Sequence, residues 1–314
     1  MTMPLFKVLK PGLQTTVQDS GRLGYQQYGI SPSGAMDSYS MQLANLLTGN
    51  PLGEAVLEAA MPGPSLEALN DVSIAICGGD LQPMVNGQEM PMWKSSILKK
   101  GEVLSFGKLK SGARAYISFA GGIDVPPVLG SKSTFINGKL GGFNGRALEA
   151  GDILYGHPAV MKNKFLHPDL IPEYKKQLAV RVILGPHIEK FTKDTIEQFL
   201  SSEYIISAQS NRMGYRLDGP KLSHIGGADI ISDAIPLGGI QVPANGQPII
   251  LMAERQTTGG YARITTVISV DIPALAQAQP GSVIRFKNVS IKEAQDLYIE
   301  WKRLFKCLSL GTGL

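Results

Sequence analysis

Short apolar runs that end at glycine or proline recur along the chain, and this punctuation constrains the fold more than any other feature. The clearest runs are residues 72–77, 115–120, 180–184 and 283–286. They are rich in β-branched and aromatic side chains, and clusters of turn residues separate them. Glycine supplies the positive φ angles that tight turns need and the room that barrel corners need. The pattern therefore predicts a mainly β protein built of barrels or sandwiches.

The composition supplies enough apolar material for a packed core. Of the 314 residues, 43% are hydrophobic, 36 are glycine and 20 are proline. This glycine and proline content stays below the ~25–30% that marks low-complexity or disordered chains. Because domains usually hold ~100–200 residues, the length allows two domains or one large domain.

Charge and cysteine content exclude several classes of protein. The net charge of +4 is spread over 30 basic and 26 acidic residues without a basic block, so the signature of nucleic acid binding is missing. Cys77 and Cys307 cannot form a disulfide framework, and no apolar run approaches the ~18 residues of a membrane span. The four histidines lack metal-ligand spacing. We expect a cytoplasmic protein with no metal, no membrane contact and no nucleic acid partner.

A weak internal repeat indicates a duplicated domain. Three short matches recur in the same order: residues 63–66 with 219–222, 86–88 with 245–247, and 101–106 with 281–286. The offset between the halves grows along the chain, which places an insertion between Asn245 and Gly281. Repetition of this kind favours tandem domains. We predict a β-barrel domain over residues 1–156, a linker over 157–177, and a second barrel domain over 178–314.

Three helices are expected among the strands. Their predicted N-caps are Asp37, Thr192 and Ser290. The first helix should span Ser38–Thr48. The third follows a capping box completed by Glu293, and its apolar residues recur at helical spacing, so we expect an amphipathic C-terminal helix that packs against the protein. The tail over 308–314 is expected to fray.

Most standard catalytic motifs are absent from the sequence. The chain contains neither a GxSxG nucleophile elbow nor a GxGxxG dinucleotide fingerprint. Residues 130–134 resemble the end of a P-loop, but Ser131 replaces the glycine that precedes the lysine. Residues 160–163 resemble a biotinylation tetrapeptide around Lys162 but lack its second methionine. We therefore expect that this chain does not carry biotin.

Polar clusters lie where a barrel would have turns. Residues 256–261 combine an amide, two hydroxyls, two glycines and a phenol next to Arg255. Arg212 and Arg216 provide paired guanidinium groups suited to carboxylate or phosphate. Residues 31–37 form a turn that leads into a helix N-terminus, where anions are favoured. Each cluster is equally compatible with ordinary turn and capping chemistry.

Several motifs together resemble one protein family. They are residues 11–19 with 21–22, 33–37 with 44–45, 121–126, 129–131 with 133–134, 151–152, 212–214, 240–243 and 256–261. With these motifs the sequence resembles the C-type subunit of bacterial 5-oxoprolinase. The same family is described as the antagonist of the histidine-kinase inhibitor KipI, as the second allophanate-hydrolase subunit, and as a biotin-dependent carboxyltransferase domain. The resemblance covers about residues 5–290.

The resemblance implies two tandem cyclophilin-like β-barrels, in agreement with the repeat. It also implies a partner, the KipI-like B-type subunit, and in a 5-oxoprolinase a further partner, the A-type subunit. The expected reaction is ATP-dependent opening of the small lactam 5-oxo-L-proline to L-glutamate. Phosphorylation of the lactam oxygen would create an electrophile that water can attack. ATP is therefore expected in the complex, and this chain is expected to be inactive alone.

Such a reaction needs cationic and N–H donors for anions, and hydroxyl or amide groups that position the lactam. From the residue types within the family motifs we assign catalytic roles to Gln256, Thr257, Thr258 and Tyr261. We assign substrate binding to Arg212, Gln241, Arg255, Ser33, Asp37, Gly259 and Gly260. The loops that carry these residues are expected to face one another from the two barrels.

Two alternatives stay open beside the hydrolase. A non-catalytic antagonist would bind a KipI-like histidine-kinase inhibitor through the same protein–protein contact. A biotin-dependent carboxyltransferase would act on urea-like amides, with carboxybiotin brought by another protein. The sequence also departs from the family pattern at Lys132, where arginine is common, and at Ala262, where proline is common.

Overall fold

The structure is a computed structural model that describes residues 2–161 and 163–311. The chain forms two compact units. The first contains the described residues of 2–23, 33–174 and 306–311, and the second contains 24–32 and 175–305. Residues 24–32, which we call the strap, thus belong to the unit formed mainly by the second half of the chain. The domain limits predicted from the sequence stay a prediction.

The first unit is built of two antiparallel sheets. Its strands are β1 (Met3–Lys10), β2 (Thr15–Gln18), β3 (Val56–Ala60), β4 (Ser65–Ala68), β5 (Val72–Asp80), β6 (Pro83–Val85), β7 (Gln88–Glu89), β8 (Ser95–Leu98), β9 (Val103–Phe106), β10 (Ser111–Phe119) and β11 (Ile153–Gly156). One sheet has the order β11-β1-β4-β9-β6-β7, and the other has the order β2-β3-β10-β5-β8.

Both sheets contribute to one apolar core. Leu5 and Phe6 of β1 are fully buried in the same cluster as Leu57 of β3 and Ile74 of β5. The rings of Phe6 and Phe119 lie 4.5 Å apart. Burying an aliphatic or aromatic side chain stabilises a fold by roughly 1.5–3 kcal/mol. The apolar runs of the sequence therefore hold this unit together.

Helix α1 (Ser38–Thr48) begins where the sequence predicts. The Asp37 carboxylate accepts hydrogen bonds from the Ser40 amide at 2.9 Å and from the Ser40 hydroxyl at 2.6 Å. Gly49, with φ 72°, ends the helix. A side-chain acceptor at the N-cap satisfies N–H groups that have no partner within the helix. The predicted capping role of Asp37 is confirmed.

Strands of the second unit close into a barrel. The strands of this unit are β12 (Gln177–Leu184), β13 (Glu203–Ile206), β14 (Gly214–Asp218), β15 (Asp229–Ala234), β16 (Gly239–Gln241), β17 (Ile249–Leu251), β18 (Thr258–Tyr261), β19 (Arg263–Val267) and β20 (Val283–Asn288). The barrel order is β12-β19-β16-β17-β14-β13-β20, and the parallel pair β12–β20 closes it. The prediction of a mainly β fold is confirmed, with the closed barrel in this unit and paired sheets in the first.

Strands β15 and β18 form a two-stranded ribbon outside the barrel. Most of β15 is exposed to solvent, and Ile231 is 94% exposed. Hydrogen bonds nevertheless fix the ribbon to the barrel. Arg263 Nη1 donates to the Ala234 carbonyl at 2.9 Å, and Gln241 Nε2 donates to the Tyr261 carbonyl at 3.2 Å. The ribbon is thus a defined structural element and carries most of the 256–261 motif.

The remaining helices are α2 (Lys193–Ser201), α3 (Ile272–Ala276) and α4 (Ile291–Gly311). Thr192 Oγ1 accepts a hydrogen bond from the Thr195 amide at 3.2 Å, which confirms the cap of α2. Ser290 Oγ accepts one from the Glu293 amide at 3.1 Å, as expected for the start of α4. Local side-chain chemistry thus sets where each of these two helices begins.

Helix α4 packs through aromatic residues on one face. Phe305 is buried, and the Trp301 ring meets it edge-on at 5.5 Å. The helix continues to Gly311, so the prediction of fraying over 308–314 is wrong as far as residue 311, and residues 312–314 lie outside the described residues. Within the described part of the chain, no helix combines the length and the apolar character that crossing a membrane requires.

Two of the repeated sequence segments adopt related local structures. Gly101 and Gly281 have φ of 87° and 85°, respectively, just before strands β9 and β20. The turn at Asn86 joins β6 to β7, and Asn245 lies in the connection between β16 and β17. The positive φ explains glycine at the start of both strands, because side chains disfavour this backbone region.

Candidate functional site

An open groove of about 360 Å³ lies on the second unit. Its polar lining residues are Gln209, Asn211, Arg216, Gln241, Asn245 and Gln256. Ile249 and Leu251 of β17 add apolar surface, and the Tyr261 side chain adds a phenol. Among the residues assigned from the sequence, the structure brings Gln241, Gln256 and Tyr261 together here. Several carboxamides in one groove complement the C=O and N–H groups of an amide ligand.

Gln241 ends strand β16 and reaches the ribbon. It is 8% exposed, and its Nε2 donates to the Tyr261 carbonyl at 3.2 Å. A Cβ at position 259 would lie 2.8 Å from that Nε2 and 2.7 Å from Ile235 Cδ1. Gly259 is therefore required for space, since the φ of this residue is not positive. The absent side chain lets Gln241 pack beneath the ribbon.

Gln256 and Tyr261 present accessible polar groups to the groove. Gln256 is exposed, and its side chain makes no hydrogen bond with any described residue. Tyr261 is 42% exposed. Gln241 bonds to the backbone carbonyl of Tyr261 and not to its phenol. Both side chains are thus available to a ligand.

The groove is rich in unused N–H donors. Asn211 Oδ1 accepts from the Met213 amide at 2.8 Å, and Asn245 Oδ1 accepts from the Gln247 amide at 3.0 Å. Each carboxamide is thereby oriented with its NH₂ group unbonded within the described structure. The Arg216 guanidinium, exposed on β14, adds further donors. Such a surface fits a ligand that offers carbonyl or carboxylate oxygens.

Arg212 lies in a buried ion pair and does not line the groove with Arg216. Its Nε lies 2.7 Å from Glu254 Oε1, and each side chain is 6% exposed. The Glu254 carboxylate is thus a counter-charge for this guanidinium, and the substrate-binding role predicted for Arg212 stays a prediction. Sequence reasoning missed Glu254, because no local signal connects two residues 42 positions apart.

Arg255 is a buried guanidinium held by carbonyl groups. It is 7% exposed, its Nε donates to the Ile235 carbonyl at 2.9 Å, and its Nη1 donates to the Met252 carbonyl at 3.4 Å. No carboxylate among the described residues pairs with it. Burial lowers the pKa of Arg255 to about 10. Buried charges in proteins are normally paired with an opposite charge, whereas Arg255 is held by carbonyl oxygens alone within the described residues.

The two threonines and Gly260 belong to the ribbon and its base. The Thr257 carbonyl accepts from the Ile235 amide at 3.1 Å, and Thr258 begins β18. A Cβ at Gly260 would meet the Ile230 carbonyl oxygen at 3.6 Å, which is ordinary contact. None of the three lines the groove. Their functional roles stay predictions.

Ser33 and Asp37 lie in the first unit, where both are buried. Ser33 has φ 55°, and its Oγ donates to the Thr134 carbonyl at 3.0 Å. The Asp37 carboxylate caps α1. These contacts account for both residue types structurally, and the predicted binding roles stay predictions.

A hydrogen-bond network missed by sequence reasoning joins two family motifs in the first unit. The Asp19 carboxylate accepts from the hydroxyls of Ser131 at 2.7 Å and Ser133 at 2.5 Å. Arg22, which is fully buried, donates through Nη2 to the Ser133 carbonyl at 2.5 Å and through Nε to the Val128 carbonyl at 3.1 Å. Burial lowers the pKa of Arg22. This network binds the 19–22 turn to the 128–133 loop.

Both departures from the family pattern have local partners. Lys132 Nζ donates to Glu54 Oε1 at 2.7 Å and to the Ile123 carbonyl at 3.0 Å. The Ala262 amide donates to the Ala228 carbonyl at 3.0 Å, a bond that proline could not make. Ala262 thus adds a backbone hydrogen bond between the end of β18 and the residue that precedes β15.

Two further sequence expectations concern cofactors. The lysine of the biotinylation-like tetrapeptide, Lys162, lies outside the described residues. In the part of the chain that is described, no group of three or more His, Cys, Asp or Glu side chains is arranged to hold a metal ion.

Known proteins resemble this chain along almost its full length. A family model for the carboxyltransferase domain, subdomains A and B, matches residues 28–288. The C-type subunit of the Escherichia coli 5-oxoprolinase is 37% identical over 97% of this chain and 98% of its own length. The urea amidolyase of Saccharomyces cerevisiae is 36% identical over 94% of this chain, which spans only 17% of that protein. The crystal structure of the Kluyveromyces lactis urea carboxylase superposes with a TM-score of 0.91 at 34% identity, over 98% of this chain and 30% of that chain.

Proposed function

The chain belongs to the family of carboxyltransferase domains with subdomains A and B, and from this we propose that it is one component of an ATP-dependent 5-oxoprolinase complex. The observation that carries the proposal is the 37% identity to the C-type subunit of a 5-oxoprolinase across nearly the whole of both chains. The reaction opens the lactam of 5-oxo-L-proline to L-glutamate with cleavage of ATP.

The groove supports this proposal through its donor and acceptor pattern. A lactam offers one carbonyl oxygen and one N–H group on the same edge of its ring. The Gln256 carboxamide can accept from the lactam N–H, and the NH₂ groups of Asn211 and Asn245 can donate to the lactam oxygen. Donors aimed at that oxygen would also stabilise the charge that develops there when the lactam is activated.

Nucleotide binding is assigned to a partner protein of the complex. The segment that resembles a P-loop has Lys132 paired with Glu54, and its Ser131 hydroxyl is bonded to Asp19. Both groups are thus already engaged with residues of this chain. We therefore assign this chain a role in positioning the amide, and we expect it to be inactive without its A-type and B-type partners.

The test is 5-oxoproline-dependent ATP hydrolysis by the co-purified complex, measured with and without this chain. We expect turnover only when all components are present. ATP hydrolysis without 5-oxoproline is the matched background measurement. Equal substrate-dependent turnover without this chain would reject the proposal.

A second candidate function is carboxyl transfer to a urea-like amide, with carboxybiotin supplied by another protein. The similarity to the Kluyveromyces lactis urea carboxylase favours it. The two functions differ in substrate and in biotin dependence. Urea-dependent ATP use that avidin inhibits would establish carboxyl transfer, whereas 5-oxoproline-dependent ATP use that is insensitive to avidin would establish the lactam hydrolase.

A further inference from the structure

The guanidinium of Arg255 differs from its neighbours in lacking a counter-charge. Arg212 pairs with Glu254, and Arg263 Nη2 lies 3.4 Å from Asp233 Oδ2. Arg255 instead contacts the carbonyls of Ile235 and Met252, and the 3.4 Å bond to the second is long. Its Nη2 has no hydrogen-bond partner within the described residues.

Because Arg255 is buried, the lack of a counter-charge costs free energy. Taking a guanidinium out of water destabilises the fold unless an anion or several good acceptors replace its hydration. Arg216 faces no such cost, because it is exposed in the groove and stays hydrated. Arg22 is also buried, but it is fully enclosed, whereas Arg255 keeps 7% of its surface accessible. Arg255 therefore combines an uncompensated charge with an approach from solvent.

The strap lies directly beside Arg255. Gln26 Nε2 donates to the Ile235 carbonyl at 3.4 Å, the same oxygen that accepts from Arg255. Ser31 Oγ donates to the Ala253 carbonyl at 3.4 Å. Both bonds are at the long limit for hydrogen bonds and are correspondingly weak. These contacts place the strap next to the Arg255 guanidinium.

We propose that Arg255 is the receptor for the carboxylate of a small ligand, which it binds beside the strap. A carboxylate accepts from the unbonded Nη2 and supplies the missing negative charge in one contact. This inference rests on the proposed function, in which the ligand is 5-oxo-L-proline and its carboxylate separates it from urea-like amides. Gln256, the next residue, reaches the amide groove, so the two recognition elements adjoin in the chain.

The test is calorimetric binding to the full chain at constant ionic strength, with three probes. These are 5-oxo-L-proline, the uncharged lactam 2-pyrrolidone, and inorganic phosphate. We expect 5-oxo-L-proline to bind about 10- to 100-fold more tightly than 2-pyrrolidone, because a hydrogen bond to a charged group is worth that much. Equal binding of the two lactams, no binding of either, or tighter binding of phosphate would overturn the assignment.

Variants locate the receptor. Arg255→Gln should lose the preference for the carboxylated lactam, Arg255→Lys should keep part of it, and Arg285→Gln, at an exposed arginine paired with Glu203, should retain it. Circular dichroism melting of each variant establishes that it is folded. A folded Arg255→Gln chain with an undiminished preference would refute the proposal, and the comparison of the two lactams on the unaltered chain decides it if that variant does not fold.

These measurements separate the inference from the proposed function. One possible result is a preference for the carboxylated lactam that depends on Arg255, in a chain whose complex shows no 5-oxoproline-dependent ATP hydrolysis. This result would support Arg255 as the carboxylate receptor and reject the 5-oxoprolinase function. The opposite result is a complex that hydrolyses ATP in the presence of 5-oxoproline, with a chain whose preference for the carboxylated lactam does not depend on Arg255. That result would support the 5-oxoprolinase function and reject Arg255 as the receptor.

Discussion

Arg212 and Glu254 join two strand ends of the barrel through an ion pair that is almost entirely shielded from water. The Nε to Oε1 distance is 2.7 Å, and each side chain is 6% exposed. The backbones of the two residues are also joined, because the Glu254 amide donates to the Arg212 carbonyl at 2.8 Å. The pair thus fixes the segment that leads directly into Arg255 and Gln256.

Breaking this pair should destabilise the protein strongly. Glu254→Ala removes the carboxylate that is bonded to the buried Arg212 Nε, and we expect a loss of about 3–5 kcal/mol in the free energy of unfolding. The matched control is Glu203→Ala, which breaks an exposed pair with Arg285 and should cost less than about 1 kcal/mol. Urea unfolding of both variants measures the difference. Similar losses would show that burial does not set the strength of the Arg212 pair.

Alanine substitutions at Gly259 and Gly260 should show which of the two positions requires glycine for space. Gly259→Ala places a Cβ 2.7 Å from Ile235 Cδ1 and 2.8 Å from Gln241 Nε2, and overpacking of this kind costs about 1–3 kcal/mol. Because Gln241 must move, 5-oxoproline-dependent turnover of the complex should also fall. Gly260→Ala meets its nearest atom at 3.6 Å and is the control for stability, expected to keep the free energy of unfolding of the unaltered protein. Equal effects at both positions would contradict the packing explanation.

Acid should weaken the first unit through Asp152. Arg146 donates to both carboxylate oxygens, at 2.7 and 2.8 Å, and this contact holds the pKa of Asp152 below its ordinary value of 3.8. A depressed pKa in the folded state stabilises the fold above pH 3.8, and this stability is lost as the pH falls through the folded value.

Asp152→Asn should therefore lower the melting temperature near pH 7 and leave it little changed near pH 2. Asp71→Asn, in an exposed pair with Lys99, should show a smaller effect at neutral pH. Thermal melts across the acid range measure both. A constant difference between wild type and Asp152→Asn at every pH would mean that the carboxylate charge is not the cause.

Local chemistry explains what the sequence could predict. The caps at Asp37, Thr192 and Ser290 involve residues three positions apart, so composition and order alone identify them. The strands are likewise indicated by β-branched runs that end at glycine. The parallel β12–β20 pair that closes the barrel joins residues about a hundred positions apart, and no local pattern encodes its register.

The candidate site is only partly predictable for the same reason. Gln256 and Tyr261 share a motif that identifies them together, whereas Asn211 reaches the groove from a different strand connection. The sequence identifies Arg212 as a candidate for substrate binding, whereas its buried pair with Glu254 is visible only in the tertiary structure. The binding role of Arg212 stays a prediction. Residue type predicts what a side chain can do, and the tertiary fold decides which partner it has.

Gln256 offers the most direct test of the groove. Its side chain is exposed and makes no hydrogen bond within the described structure, so Gln256→Leu should leave the melting temperature nearly unchanged. If the carboxamide accepts from the lactam N–H, its loss should raise the KM for 5-oxoproline about 5- to 10-fold, the value of one hydrogen bond of roughly 1 kcal/mol. Gln198→Leu, on the exposed face of α2, is the matched control and should leave KM unaltered. Steady-state kinetics of the reconstituted complex measures both, and an unchanged KM for Gln256→Leu would move the lactam out of this groove.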